Sequence, residues 1–210
     1  MQCKPPDMRF YGELKELNTE FLSLIVGHRK TWHEPVLGLD AGSTAALRQL
    51  SDSELDFIAT APGMLAGFTV LPPPRRVLES RADLHQSDDH WLASARLFCI
   101  GMMTYLWQLA RRDQLVAAFC VGPTSGQIGR LAELSFGEIQ GGADRAMAQL
   151  NARFGSHPTF WPDLIRAARS EDVEFQDLSR LAIIPLTLAE HRSTDYSESP
   201  DTIDHRASMT

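Results

Sequence analysis

The sequence has 210 residues, of which 43% are hydrophobic and 22% are charged, and its formal net charge is −7. This composition supports a packed core and excludes global disorder. The acidic balance argues against nucleic acid or an anionic membrane as a partner, because sequence-independent binding to either needs clustered Lys and Arg side chains.

The three cysteines, Cys3, Cys99 and Cys120, are too few and too scattered for a disulfide framework, which favours a reducing compartment. The N-terminal residues lack the apolar run of a signal peptide. The most apolar helical run, 97–110, has 14 residues, and a membrane-spanning helix needs roughly 20. We therefore expect a soluble, cytoplasmic protein without direct membrane insertion.

In chain order, the first elements fill residues 1–75, which we expect to form an N-terminal helical lobe. Apolar residues at helical spacing predict helices over 11–26 and 43–50, the second capped by Asp40 or Ser43. A capping box formed by Ser51 and Glu54 opens a third helix. Pro62-Gly63 ends this helix, and a short extended piece is predicted over 68–71.

The stretch from Pro72 to Asp89 is Pro-rich and then polar and charged, so residues 76–90 are predicted to be a hinge. A C-terminal helical lobe over 91–190 and a disordered tail over 191–210 are predicted to follow. Apolar residues cover more than one helix face in 91–119, so we expect the central helix there. The remaining signals are helices over 125–134, 144–154, 163–169 and 171–183, with a second capping box at Ser135 and Glu138. The predicted fold class is mainly α: a two-lobed multi-helix protein with short irregular or extended connections.

The sequence contains a weak internal echo at an offset of 84 residues. Each copy is predicted to comprise a helix, a Gly break, a short helix, a capping box and a further helix. The paired positions are Phe21/Tyr105, Leu22/Leu106, Ile25/Leu109, Gly38/Gly122, Leu47/Leu131, Leu50/Leu134, Ser51/Ser135, Glu54/Glu138 and Leu55/Ile139. A duplication and a chance likeness of two helical hairpins explain this pattern equally well.

Two groups of residues have the chemistry of metal ligands, the stretch His85–His90 and the pair His28 and His33. Asp88 and Asp89 in the first group suit the positive end of a helix without any metal. Neither group shows the converging His, Cys and carboxylate pattern of a metal site, so none is predicted.

Signals for catalysis or cofactor binding are equally weak. The Gly-rich stretch 122–129 precedes a helix, but it lacks the Lys-Ser/Thr pair of a phosphate-binding loop. Cys120 has no base implied beside it, and Ser51 and Ser135 are better explained as helix caps. We therefore predict no catalytic, cofactor-binding or metal-binding residues and interpret the chain as a binding component, not an enzyme.

One segment resembles a known family. The run 97–121 resembles part of the SctK (YscK/NolU) family, which are accessory sorting-platform proteins of type III secretion systems and include nodulation-associated members. The similar features are a Leu-Gly-rich helix (here 97–110), an Arg pair (Arg111-Arg112), a small-residue and Cys stretch (115–121), a short Leu-rich helix (128–134) and a Pro-Thr-x-Trp element (Pro158–Trp161). The resemblance is clearest over 92–165, and residues 1–90 fit it only in pattern.

This resemblance implies a non-enzymatic adaptor that links an inner-membrane ring protein to the SctQ-like sorting-platform protein and supports effector secretion. It also implies a cytoplasmic protein that is peripheral to the inner membrane through the secretion apparatus, with no cofactor. Arg111, Arg112 and Trp161 lie in the similar segments. Because Arg and Trp dominate interface hot spots, these three residues are our candidate partner contacts. Packing in the core is the alternative role for Trp161.

Charge is unevenly distributed, with a net charge of +3 over residues 91–170 and −6 over residues 171–210. The acidic end could steer a basic partner surface in a salt-dependent way.

An alternative interpretation is a transcriptional regulator that binds DNA or a regulator partner. Residues 17–55 loosely resemble the helical core of the flagellar regulator FlhD, and short helices joined by Gly turns can mimic helix-turn-helix units. DNA readout would then fall to four arginines, Arg111, Arg112, Arg130 and Arg145. The acidic total and the lack of a basic recognition helix count against this alternative.

Overall fold

The computed structural model describes residues 8–28, 36–69, 90–122 and 125–197. Its elements are α1 (Met8–Gly27), α2 (Ala41–Leu47), α3 (Asp52–Ala59), β1 (Ala66–Phe68), α4 (His90–Arg112), α5 (Gln114–Val121), α6 (Ser125–Glu133), α7 (Phe136–Gly141), α8 (Ala143–Gln149), β2 (Leu150–Ala152), α9 (Phe160–Ala168), α10 (Val173–Leu181) and α11 (Ile183–Ser197). The predicted mainly-α class is confirmed. Within the described ranges, no helix is both long and apolar enough to cross a membrane.

Local capping signals set where several helices begin. Ser51 opens α3 and Ser135 opens α7, and the hydroxyl oxygen of each serine accepts a hydrogen bond from the amide of the glutamate three residues later, at 3.4 and 3.3 Å. The two glutamate carboxylates accept from the serine amides in return, at 2.7 and 2.8 Å. Asp40 caps α2 by accepting a 2.9 Å hydrogen bond from the amide of Ser43. Both predicted capping boxes and the Asp40 cap are therefore confirmed.

Helix α4 lies at the centre of the fold and packs against α1, α5, α6, α7 and α8. It is the central helix that the sequence predicts, and it ends at Arg112, where charged residues interrupt the apolar run. Asp113 causes the break, because its carboxylate accepts hydrogen bonds from the amides of Leu115 and Val116, at 3.0 and 3.1 Å, and so caps the separate helix α5.

Residues on both sides of the predicted hinge contribute to one hydrophobic core. Helix α1 packs against α4, and α2 and α3 pack against α9. Phe21 of α1 and Phe98 of α4, for example, have ring centroids 5.8 Å apart. The two predicted lobes therefore share their core, because α4 and α9 cover the apolar faces of the N-terminal helices. Residues 76–89 of the predicted hinge lie outside the described ranges.

The predicted helix over 144–154 is wrong in its last part. Helix α8 ends at Gln149, and β2 follows it as a strand antiparallel to β1, with Gly67 opposite Asn151. The first and last residues of β2 are buried and its middle residue is half-buried, which is the alternation of a strand. Pairing with β1, a contact distant in sequence, overrides the local helical pattern.

The C-terminal region is helical further than the sequence predicts. Ala182 keeps helical angles between α10 and α11 (φ −57°, ψ −23°), and the missing amide of Pro185 accounts for the interruption there. Helix α11 continues to Ser197, so the predicted disordered tail over 191–210 is wrong for its first seven residues. Residues 198–210 lie outside the described ranges.

The 84-residue echo has a structural counterpart. Adding 84 to the first residues of α2, α3 and β1 gives the first residues of α6, α7 and β2, and α1 maps inside α4. Gly38 and Gly122 are paired in the same way, and both have left-handed backbone angles, with φ of 80° and 72°.

Backbone hydrogen bonds repeat at the same offset. The amide of Thr69 donates to the carbonyl of Gln149 at 3.0 Å, and the equivalent amide of Arg153 donates to the equivalent carbonyl of Leu65 at 2.8 Å. The middle residues of β1 and β2 are each other's equivalents and lie opposite one another. Antiparallel pairing of equivalent strands implies a pseudo-two-fold axis between them. A duplication therefore explains the echo better than chance does.

Candidate protein-docking site

Two aromatic rings lie together at the surface, those of Trp107 on α4 and Phe136 at the start of α7. Their centroids are 6.2 Å apart and their planes are inclined at 44°. Phe136 is 51% exposed although it is a large apolar side chain. The indole N–H of Trp107 donates a 2.8 Å hydrogen bond to the carbonyl of Leu134, which satisfies its polar group and fixes the ring. The pair presents a positioned aromatic surface to solvent.

Arg111 extends this surface. Its guanidinium carbon lies 5.0 Å from the centroid of the Trp107 ring, as expected for residues four apart on one helix face. Such a cation–π contact contributes about 0.5–1 kcal/mol at an exposed site. Trp107, Arg111 and Phe136 are termed the aromatic–arginine patch below.

The second capping box positions the patch. Phe136 is the first residue of α7, directly after Ser135. Hydrogen bonds from the amide and hydroxyl of Ser135 hold the pKa of Glu138 below its ordinary value, so the carboxylate is charged at neutral pH. The charged carboxylate lies in the first turn of α7, where the helix dipole favours it. The start of α7, and with it Phe136, is therefore fixed by local interactions.

The structure separates the three candidate partner contacts. Arg111 and Arg112 are exposed in the last turn of α4, where positive charge also complements the helix dipole. Trp161 is 1% exposed, and its indole N–H donates a 2.8 Å hydrogen bond to the carbonyl of Arg153. The prediction that Trp161 contacts a partner is wrong for this fold, because the ring is a core anchor packed edge-on against Phe160.

Sequence reasoning missed Arg153, whose side chain is only 3% exposed. Its guanidinium donates to the carbonyls of Cys120 and Phe119 at the end of α5, at 2.7 and 3.3 Å. It also donates to the hydroxyl of Thr187 at 3.0 Å and to the carboxylate of Glu190 at 2.7 Å, both on α11. Arg153 thereby joins β2, α5 and α11. No local pattern could have indicated this role, because the partners lie 33 to 37 residues away in sequence.

Cys120 lies beside this cluster. Burial raises the pKa of its thiol to about 12, although nearby Arg153 opposes the shift. The thiol is therefore protonated at neutral pH, whereas a cysteine nucleophile must be a thiolate. In this fold Cys120 acts as a small buried apolar side chain.

The groups with metal-ligand chemistry are only partly described. Residues 85–89 and His33 lie outside the described ranges, and the ring of His28 packs edge-on against Trp91, with centroids 4.7 Å apart. Among the residues that the structure describes, no group of three or more His, Cys, Asp or Glu side chains could hold a metal ion. In the Gly-rich stretch, Gly122 ends α5, and residues 123–124 are not described.

The four arginines proposed for DNA readout differ in accessibility. Arg111, Arg112 and Arg130 are exposed, whereas Arg145 on α8 is half-buried. DNA binding stays a prediction, and these positions give it no specific support.

A second exposed apolar face lies on α10 and α11. Leu178, Leu181 and Leu188 are 61%, 48% and 49% exposed. Pro185 between them is also exposed, so exposed apolar residues occur at positions 178, 181, 185 and 188 along α10 and α11. Alternating intervals of three and four residues are typical of an apolar seam that packs on another helix. The exposed acidic residues near its start are Glu171, Asp172, Glu174 and Asp177.

Comparison of the chain with protein-family models, with curated proteins and with solved structures found no match.

Proposed function

We propose that this chain is a non-enzymatic adaptor of a type III protein secretion system, which links the inner-membrane ring to the SctQ-like sorting-platform protein and supports effector secretion. On this proposal it acts in the cytoplasm, held at the inner membrane through the secretion apparatus. The segment 97–121, which resembles the SctK family, contains both Trp107 and Arg111.

The observation that carries the adaptor proposal is the aromatic–arginine patch. Trp and Arg are enriched in interface hot spots, and a ring held by a hydrogen bond loses little further freedom when a partner binds. A half-exposed Phe136 that packs on a positioned tryptophan adds apolar area that a partner can cover.

A linking protein needs more than one docking face. The apolar seam of α10 and α11, with acidic residues at its start, supports a second contact to a basic amphipathic helix. This second contact should weaken as salt rises, because its flanking charges are exposed.

The test is an affinity pull-down of the tagged full-length chain from its native cells, followed by mass spectrometry. Recovery of an SctQ-like protein together with an inner-membrane ring protein is expected. Recovery of nucleic acid or RNA polymerase without any secretion component would reject the proposal in favour of the regulator.

The same pull-down with an Arg111→Ala/Phe136→Ala double variant asks whether the patch mediates capture. We expect recovery of one partner to fall, since the double variant removes two exposed side chains and leaves the core intact. Arg166→Ala is the matched control, because Arg166 is exposed and lies over the ring of Phe175 at 5.0 Å in the same kind of contact elsewhere on the surface. Equal losses in both variants would reject the patch as the docking site.

A further inference from the structure

The N-terminal half carries an open groove between α1 and α3. Its volume is about 210 Å³, several times that of a water molecule. The residues that line it are Thr19, Leu22, Ser23, Asp52, Leu55 and Asp56. Leu22 is buried at its base, whereas Ser23 and Asp52 are exposed at its rim.

The internal repeat shows what occupies the equivalent position in the other half. Adding 84 to the lining residues gives, in order, Met103, Leu106, Trp107, Phe136, Ile139 and Gln140. The base is therefore apolar in both halves, with Leu22 equivalent to buried Leu106. At the rim, however, Ser23 and Asp52 stand where the C-terminal half has the packed rings of Trp107 and Phe136. The groove is open because two small or polar side chains replace an aromatic pair.

The backbone around the two positions is the same. Leu50 donates its amide to the carbonyl of Leu47 at 3.1 Å, and the equivalent Leu134 donates to Leu131 at 3.2 Å. The carbonyl of Leu134 accepts the indole hydrogen bond of Trp107. The carbonyl of Leu50, two residues before the rim residue Asp52, is its equivalent in the N-terminal half.

The charges at the rim indicate what should accompany an aromatic side chain. Asp52 lies exposed in the first turn of α3, and Asp56 is paired with Lys15 at 2.7 Å. In the C-terminal half, the ring of Trp107 is flanked by the guanidinium of Arg111. An acidic rim complements a cation next to the incoming ring.

We propose that the groove between α1 and α3 binds a tryptophan side chain of a partner protein that has Lys or Arg next to that tryptophan. The indole occupies the position that Trp107 and Phe136 fill in the C-terminal half, donates to the carbonyl of Leu50, and brings the neighbouring cation to Asp52. This site is independent of the secretion assignment, because it follows from comparing the two halves of this chain.

The test uses isotope-labelled full-length protein and a capped Lys-Trp-Lys tripeptide, with binding followed by amide chemical shifts. We expect saturable shifts centred on Thr19, Leu22 and Leu55, and no such shifts with capped Lys-Ala-Lys. Ser23→Trp, which places an indole in the groove from its own wall as Trp107 does, should abolish them. Gln108→Trp, an added tryptophan at an exposed position of α4, should leave them unchanged.

Shifts that are absent at the groove, that are equal for the alanine peptide, or that persist in Ser23→Trp would each overturn the proposal. The outcome is separable from that of the adaptor proposal, because the tripeptide assay contains no secretion protein. Tripeptide binding at the groove without capture of a secretion partner would reject only the adaptor proposal. Capture of a secretion partner without tripeptide binding would reject only the groove proposal.

Discussion

The guanidinium of Arg153 and the carboxylate of Glu190 lie 2.7 Å apart, and this contact ties the end of β2 to the C-terminal helix α11. The two side chains differ in environment, since Arg153 is 3% exposed and Glu190 is 40% exposed. Solvent therefore screens the acid, whereas the arginine depends on its protein partners.

Arg153→Ala should lower the free energy of unfolding by about 3 kcal/mol, because it leaves buried carbonyls of α5 without a donor. Glu190→Gln should cost less than about 1 kcal/mol, because the carboxylate is partly solvated. Urea unfolding followed by circular dichroism measures both changes. Similar losses in the two variants would show that the ion pair, and not the carbonyl contacts, makes Arg153 important.

Asn18 holds the turn after α3 against α1. Its side-chain amide donates to the carbonyls of Ala59 and Gly63, each at 3.1 Å, and its oxygen accepts from the amide of Leu65 at 2.9 Å. Asn18→Leu should destabilise the protein by about 3 kcal/mol in thermal or urea unfolding, because it leaves these buried backbone groups unpaired. The exposed neighbour Thr19→Ala should change stability by less than about 0.5 kcal/mol. A small effect of Asn18→Leu would mean that water or a rearranged turn replaces the three hydrogen bonds.

The capping box of α7 should make stability depend on pH. Ser135→Ala should cost about 1 kcal/mol at neutral pH through loss of the cap. Hydrogen bonds from Ser135 lower the pKa of Glu138 from its unperturbed value of 4.5. A carboxyl group with a lowered folded-state pKa stabilises the protein above its unfolded pKa, and that contribution is lost as the pH falls through the folded pKa.

The stability difference between wild type and Ser135→Ala should therefore shrink as the pH falls below about 4.5. Unfolding curves recorded at several acidic pH values measure it. Ser51→Ala, in the equivalent capping box, should behave alike because the same contacts lower the pKa of Glu54. A difference that stays constant down to acid pH would exclude the Glu138 carboxylate as its source.

Features with a local physical cause could be predicted from the sequence. The two capping boxes, the Asp40 cap and the central helix depend on residues within a few positions of one another. The echo was also visible, because the serines and leucines of both copies keep their spacing. The strand pairing of the equivalent residues Gly67 and Asn151 shows that the echo corresponds to a repeat in the structure.

Features with distant partners could not be predicted. Strand β2 forms because β1 lies beside it, and Arg153 is buried because carbonyls of α5 and side chains of α11 surround it. Trp161 was a candidate contact because Trp is enriched in interface hot spots, yet the shared core covers it. The contact between Trp107 and Phe136 depends on the packing of α7 against α4. The aromatic–arginine patch could therefore not be predicted from the sequence.

The most direct test of the central claim is calorimetric titration of the purified SctQ-like partner with wild type, Arg111→Ala and Arg166→Ala. If the aromatic–arginine patch is the docking site, Arg111→Ala should raise Kd about tenfold or more, which corresponds to about 1.4 kcal/mol or more. Arg166→Ala should leave Kd within about twofold, because its arginine–aromatic contact lies on another face. Unchanged Kd in Arg111→Ala, or equal weakening in both variants, would contradict the assignment of this patch as the surface through which the chain binds its partner.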